Sequence, residues 1–121
     1  MPELQEGRYA GEFIVSEGNG KISRETITVL SGQTLEAGAV VGRVTASGKY
    51  KALEPAAADG SEAAAGILYD AVDASTADAE GVAIVRLAEV NAAELVWPEG
   101  ITGGEQTTAF GELAALTIIA R

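Results

Sequence analysis

The apolar residues of this chain come in short runs, and nearly every run is closed by a turn containing glycine, asparagine or serine. Punctuation of that kind argues against a long helix and points to small strands joined by tight turns. Residues 12–15 and 22–30 read as two strands around the turn pair Asn19-Gly20, both of whose residues tolerate positive φ. Ile27 and Val29 alternate with Thr26 and Thr28, which is strand spacing. Residues 40–44 and 49–53 read as a hairpin about Ser47-Gly48, residues 54–65 as an irregular connection, and 67–69 and 82–87 as two more strands separated by an acidic turn. Asn91 is placed to cap a short helical turn that must end near Trp97, because Pro98 disfavours helical geometry in the residue before it. Residues 116–119 supply a closing strand. The expected fold is an all-β or β-rich small single domain with short helical turns.

Length and composition then bound what such a domain can do. With 121 residues the chain makes one folding unit, and of its 57 apolar residues 23 are alanine, which leaves a modest core and makes association with a partner subunit an expectation. There is no cysteine and no histidine, so thiolate nucleophiles, imidazole bases, zinc-finger sites and disulfides are excluded. No catalytic residue, cofactor or metal ligand set is assigned. The acidic stretch through Asp70, Asp73, Asp78 and Glu80 has gaps of three, five and two residues, unlike the alternating oxygen ligands of an EF-hand, and is read as a solvated turn. Glu94, Glu99 and Glu105 come without the aromatic platform that a sugar-cleaving pair of carboxylates uses, and six aromatic residues in all are few for a sugar cleft.

Charge narrows the partners. The chain carries a net −10, and residues 54–121 hold twelve acids against Arg86 and Arg121 alone. Such a surface repels phosphate, which argues against nucleic-acid binding. No apolar run is long enough to span a bilayer and the acidic N-terminus lacks a signal-peptide hydrophobic region, so synthesis in the cytoplasm and no membrane partner are expected. Tyr9, Phe13 and Ile14 form an apolar cluster near the N-terminus. They are open to two readings, an ordinary edge strand or an arm that pairs with a partner's strand. Trp97-Pro98-Glu99 carries the lone tryptophan, which suits a core position and a subunit interface equally.

The second half of the chain resembles the lambda-type head decoration proteins of tailed phages. The resemblance is carried by Asp59-Gly60 followed by Ala63-Ala64-Ala65-Gly66-Ile67-Leu68, then Glu94-Leu95-Val96-Trp97-Pro98-Glu99, then Thr107-Thr108-Ala109-Phe110-Gly111 and a closing apolar strand. It covers about residues 49–121, with weaker similarity through 38–51. It implies a homotrimer on the outer surface of the expanded capsid, bound to the major capsid protein and steadying the shell against packaged DNA without catalysis. It also implies a flexible N-terminal arm that orders on the capsid. Because residues 12–30 read as strands here, the arm is confined to 1–11 and the decoration domain to 12–121. Tyr9, Phe13 and Ile14 are then the capsid-binding candidates, and Gly66, Ile67, Trp97, Pro98 and Phe110 the structural or subunit-contact candidates. The competing reading is a non-catalytic carbohydrate- or protein-binding β module of a virion.

Overall fold

A computed structural model describes residues 11–18 and 22–121. Among the described residues ten strands run in chain order: β1 (Ile14–Glu17), β2 (Arg24–Val29), β3 (Gln33–Leu35), β4 (Val40–Arg43), β5 (Tyr50–Ala52), β6 (Ala64–Leu68), β7 (Val72–Ala74), β8 (Ala79–Ile84), β9 (Ala88–Val90) and β10 (Ile118–Ala120). A 3₁₀ turn, Ala92–Glu94, and one helix, α1 (Gly103–Ala115), lie between the last two strands. Strands β2, β5, β4, β6 and β8 close into a barrel, β1, β9 and β10 form a separate three-stranded sheet, and β3 pairs with β7 as a ribbon.

Two cores follow from the two-residue period of the strands. Val40, Ile67 and Ile84 enter one cluster with Phe13, Leu53, Val90, Leu113 and Ile118, whereas their chain neighbours Val41, Leu68, Ala83 and Val85 enter the other with Ile27, Val29 and Val72. All five barrel strands contribute to the second cluster, directly or through the packed Tyr50 and Ala52 of β5. The first cluster joins the barrel wall to the three-stranded sheet and to α1. Strands β4 and β6, and β8 at its Ala83-Ile84 end, are therefore covered on both faces, which is why these stretches run apolar instead of alternating.

Several expectations hold locally. The hairpin of β4 and β5 is antiparallel, with Val41 opposite Ala52. Asn91 caps the 3₁₀ turn, its side-chain oxygen accepting from the Ala93 amide at 3.0 Å. Other expectations are corrected. Strands β1 and β2 are not a hairpin: Ile14 pairs with Val90 of β9, while β2 pairs with β8 from Arg24 opposite Ile84 to Val29 opposite Ala79. The chain changes sheets between them at Ser23, which is buried and whose hydroxyl accepts from the Gly18 amide at 2.7 Å and donates to the Leu87 carbonyl at 2.8 Å. The Asn19-Gly20 pair lies outside the described residues. The acidic turn 70–81 holds a strand of its own, β7, because Val72 and Ala74 bury against the barrel.

The largest correction is α1, thirteen residues long where only short helical turns were expected. Gly103, Gly104, Gly111, Thr107 and Thr108 are poor helix formers, and they obscure the signal. What starts the helix is a capping box: the Thr102 hydroxyl accepts from the Glu105 amide at 3.1 Å, and the Glu105 carboxylate accepts from the Thr102 amide at 2.9 Å. What holds it is burial of Ala109 and Leu113, one turn apart on the face that meets the first core.

Candidate attachment and assembly surfaces

The N-terminal segment is rooted firmly. Gly11, at φ 69°, donates its amide to the Tyr69 carbonyl at 2.9 Å, and a methyl group at Gly11 would lie 2.7 Å from the Tyr69 ring. Two residues on, Phe13 is fully buried in the first core and its carbonyl accepts from the Asn91 amide at 2.8 Å. Ile14 is half-buried against the same core. Phe13 and Ile14 thus pack as β1 enters the sheet, and the Phe13 side chain presents no outward surface. Tyr9 and residues 1–10 lie outside the described residues; of the segment 1–11 only Gly11 is described. Beside this root the Arg24 guanidinium stacks 4.1 Å from the Tyr69 ring centre and makes paired hydrogen bonds of 2.7 and 3.1 Å to Glu17, which raise its pKa further above the ordinary value.

The other candidates separate into two groups. Gly66 and Ile67 are wall residues of the barrel: Ile67 is fully buried between Val40 and Ile84, and a side chain at Gly66 would meet the Ile84 carbonyl at 2.8 Å. Trp97, Pro98 and Phe110 are half-buried near the surface. Trp97 meets Phe110 edge to face, with ring centres 5.3 Å apart and planes at 88°. Trp97 also lines, with Val96, Pro98, Leu35, Ala39, Val40 and Ala52, a mostly apolar groove of about 200 Å³ whose polar members are Thr34 and Glu36.

Sequence reasoning missed the exposed large apolar side chains Val15, Ile22, Leu87 and Ile119. The adjacent pair Ile118-Ile119 in a strand does carry a signal, since successive residues face opposite sides. Leu87 carried none, because its exposure comes from a left-handed backbone, φ 51°, set by contacts distant in sequence.

The carboxylates serve the backbone. Glu62 accepts from the Gly60 amide, Glu112 from the Ala64 amide and Asp70 from the Ala71 amide. The Ser61 hydroxyl, and then its amide, hold Asp59 below the usual carboxylate range. Lys49, and then the Ser31 amide, do the same for Asp78. Lowered folded-state pKa values stabilise the fold above the unfolded value, about pH 4, and that contribution is lost as pH falls through the folded values. Melting temperature followed by circular dichroism is therefore expected to hold steady down to about pH 5 and to fall below about pH 4. A variant carrying Asp59→Asn and Asp78→Asn should lose less on the same acidification; equal losses would show that these two groups are not responsible.

Residues 3–118 of the chain match the family model described as bacteriophage lambda head decoration protein D. The match agrees with the resemblance seen in the sequence and extends it over the N-terminal half. No curated protein matches the chain.

Proposed function

This chain belongs to the bacteriophage lambda head decoration protein D family, and from that premise we propose that it assembles as a homotrimer on the outer surface of the expanded head. Its role is decoration of a phage capsid. In the proposed mechanism each trimer clamps neighbouring major capsid subunits and resists the outward pressure of packaged DNA. The family match over almost the whole chain carries this reading. Physical features support its details. Large apolar side chains are few for the length, so a subunit gains by burying more surface against its siblings. The strongly acidic surface suits the outside of a DNA container better than its lumen. Three equivalent contacts per trimer allow each to be weak while the assembly stays attached.

Attachment in this proposal runs through residues 1–11, of which Gly11 is described and fixed. Gly11 is tied to Tyr69, and Phe13 is locked in the core. Removing residues 1–11 leaves every described member of both cores in place, so the truncated protein is expected to fold and to keep its oligomeric state while losing attachment. Co-sedimentation with expanded heads tests this. Undiminished binding of the truncated protein would place the attachment elsewhere.

A further inference from the structure

A trimeric ring closes only through a head-to-tail junction, in which two different patches of each subunit meet. Two such patches are present on this chain, one projecting and one concave.

The projecting patch lies on and beside the three-stranded sheet. Val15 and Ile119, 57% and 43% exposed, stand on its outer face, and Ile22 and Leu87, 51% and 44% exposed, flank Gly18 just past the end of β1. Leu87 is held outward at a conformational cost. Its φ is 51°, its carbonyl accepts from the Gly18 amide at 2.9 Å and the Ser23 hydroxyl at 2.8 Å, and its amide donates at 2.8 Å to the hydroxyl of Thr117, itself at φ 66°. A bulky or β-branched residue at positive φ is an uncommon strain, and here two of them lock one another beside exposed apolar surface. Glu89 of the middle strand, opposite both Ser16 and Ile119, lies within the patch and is paired with Arg121, and the ion pairs Glu17–Arg24 and Glu25–Arg86 stand at its border. It is therefore close to neutral on a chain of net −10, and Arg86 and Arg121 remain exposed at its rim.

The concave patch is the groove beside Trp97. Its lining is mostly apolar, with exposed Thr34 and Glu36 the polar members, and Glu99 lies one residue beyond Pro98. The near-neutral patch, with two exposed guanidinium groups at its rim, meets no like charge at the acidic edge of the groove, and the projecting and hollow apolar surfaces are complementary.

We infer that the patch formed by Val15, Ile22, Leu87 and Ile119 of one copy docks into the Trp97 groove of the next, bringing Arg86 and Arg121 toward Glu36. This rests on the homotrimer reading and specifies the junction that closes it. The acidic remainder of each subunit is kept apart by the same arrangement, because the near-neutral face is the one that approaches.

Two variants at exposed positions test the junction. The patch variant carries Ile22→Ser and Leu87→Asn; asparagine suits positive φ, so the fold is spared. The groove variant carries Thr34→Arg and Glu36→Arg. Sedimentation equilibrium of the unmutated chain, each variant and their equimolar mixture is the measurement. Each variant is expected to dissociate at concentrations at least about tenfold above those that dissociate the unmutated trimer, as loss of central interface side chains does. The mixture should associate more strongly than either variant alone, as a 1:1 pair, because one junction in it has both native surfaces. Variants that stay as trimeric as the unmutated chain would overturn the junction while leaving the trimer intact. So would a mixture no better than its components. A patch variant that trimerises normally but fails to bind heads would overturn it too, and would assign the patch to the capsid. A monomeric unmutated chain would instead overturn the trimer reading itself.

Discussion

Phe13→Ala is expected to destabilise the fold by about 3–5 kcal/mol, the range for truncating a fully buried aromatic side chain. Phe13 has no exposed surface and is among the largest of the fully buried side chains. It belongs to the cluster that binds the barrel wall, through Val40, Ile67 and Ile84, to the three-stranded sheet, through Val90 and Ile118, and to α1, through Leu113. Those neighbours come from six different elements, so they have no common motion by which to close the cavity, and the loss belongs toward the upper part of the range. Most small domains are stable by only about 5–15 kcal/mol, so such a loss leaves little margin. Urea denaturation at fixed protein concentration, followed by circular dichroism, measures it. Phe13→Leu is expected to cost clearly less. A loss below about 1 kcal/mol for the alanine variant would mean that the cluster collapses around the gap and does not depend on this ring.

Gly42→Ala carries the second large effect, by the opposite mechanism. A methyl group at this β4 position would sit 2.4 Å from the Ser61 carbonyl oxygen, 2.7 Å from its Cα and 2.8 Å from its carbonyl carbon. All three are backbone atoms, so no rotamer change relieves the clash. Ser61 is itself fixed: it is fully buried, its amide and hydroxyl donate to Asp59, and its carbonyl accepts from the Glu54 amide at 3.0 Å. The strand or the loop must therefore shift, and β4 is held on both sides, by β5 and by β6. Overpacking of this kind costs about 1–3 kcal/mol and occasionally more, and about 3 kcal/mol is expected here. Gly111→Ala is the matched control. Nothing lies within 4 Å of a methyl group there, the position is exposed in the middle of α1, and replacing a helical glycine with alanine is expected to stabilise by about 0.5–1 kcal/mol. Thermal midpoints moving in the same direction for both variants would refute the steric account.

The surfaces proposed for assembly divide along the same line between local and distant causes. Trp97 drew attention in the sequence by residue type, and Pro98 and Phe110 through the motifs that carry the family resemblance; all three lie near the surface, Trp97 and Pro98 lining a groove and Phe110 packed against Trp97. Gly66 and Ile67 belonged to an equally distinctive motif, yet they are buried, because β6 is sandwiched between β4 and β8. A motif marks residues that are constrained; whether packing or contact constrains them depends on which strands become neighbours. Leu87 shows the converse. Nothing in Val85-Arg86-Leu87-Ala88 signals a corner. The corner exists because Gly18, Ser23 and Thr117 converge on the Leu87 backbone from three other segments.

By itself the sequence determined the features that act over a few residues. Two-residue periodicity, turn pairs and a capping asparagine specified most strands, the β4–β5 hairpin and the 3₁₀ turn, and the lack of cysteine and histidine removed whole classes of chemistry. Its ordered motifs also pointed to the family. Tertiary structure alone decided that β1 joins β9 instead of β2, that a glycine-rich segment becomes α1, and that Val15, Ile22, Leu87 and Ile119 remain outside. Each of those outcomes depends on burial shared between segments far apart in the chain. That energy is settled only when the barrel, the sheet and the helix have chosen one another, and no short stretch of sequence carries it.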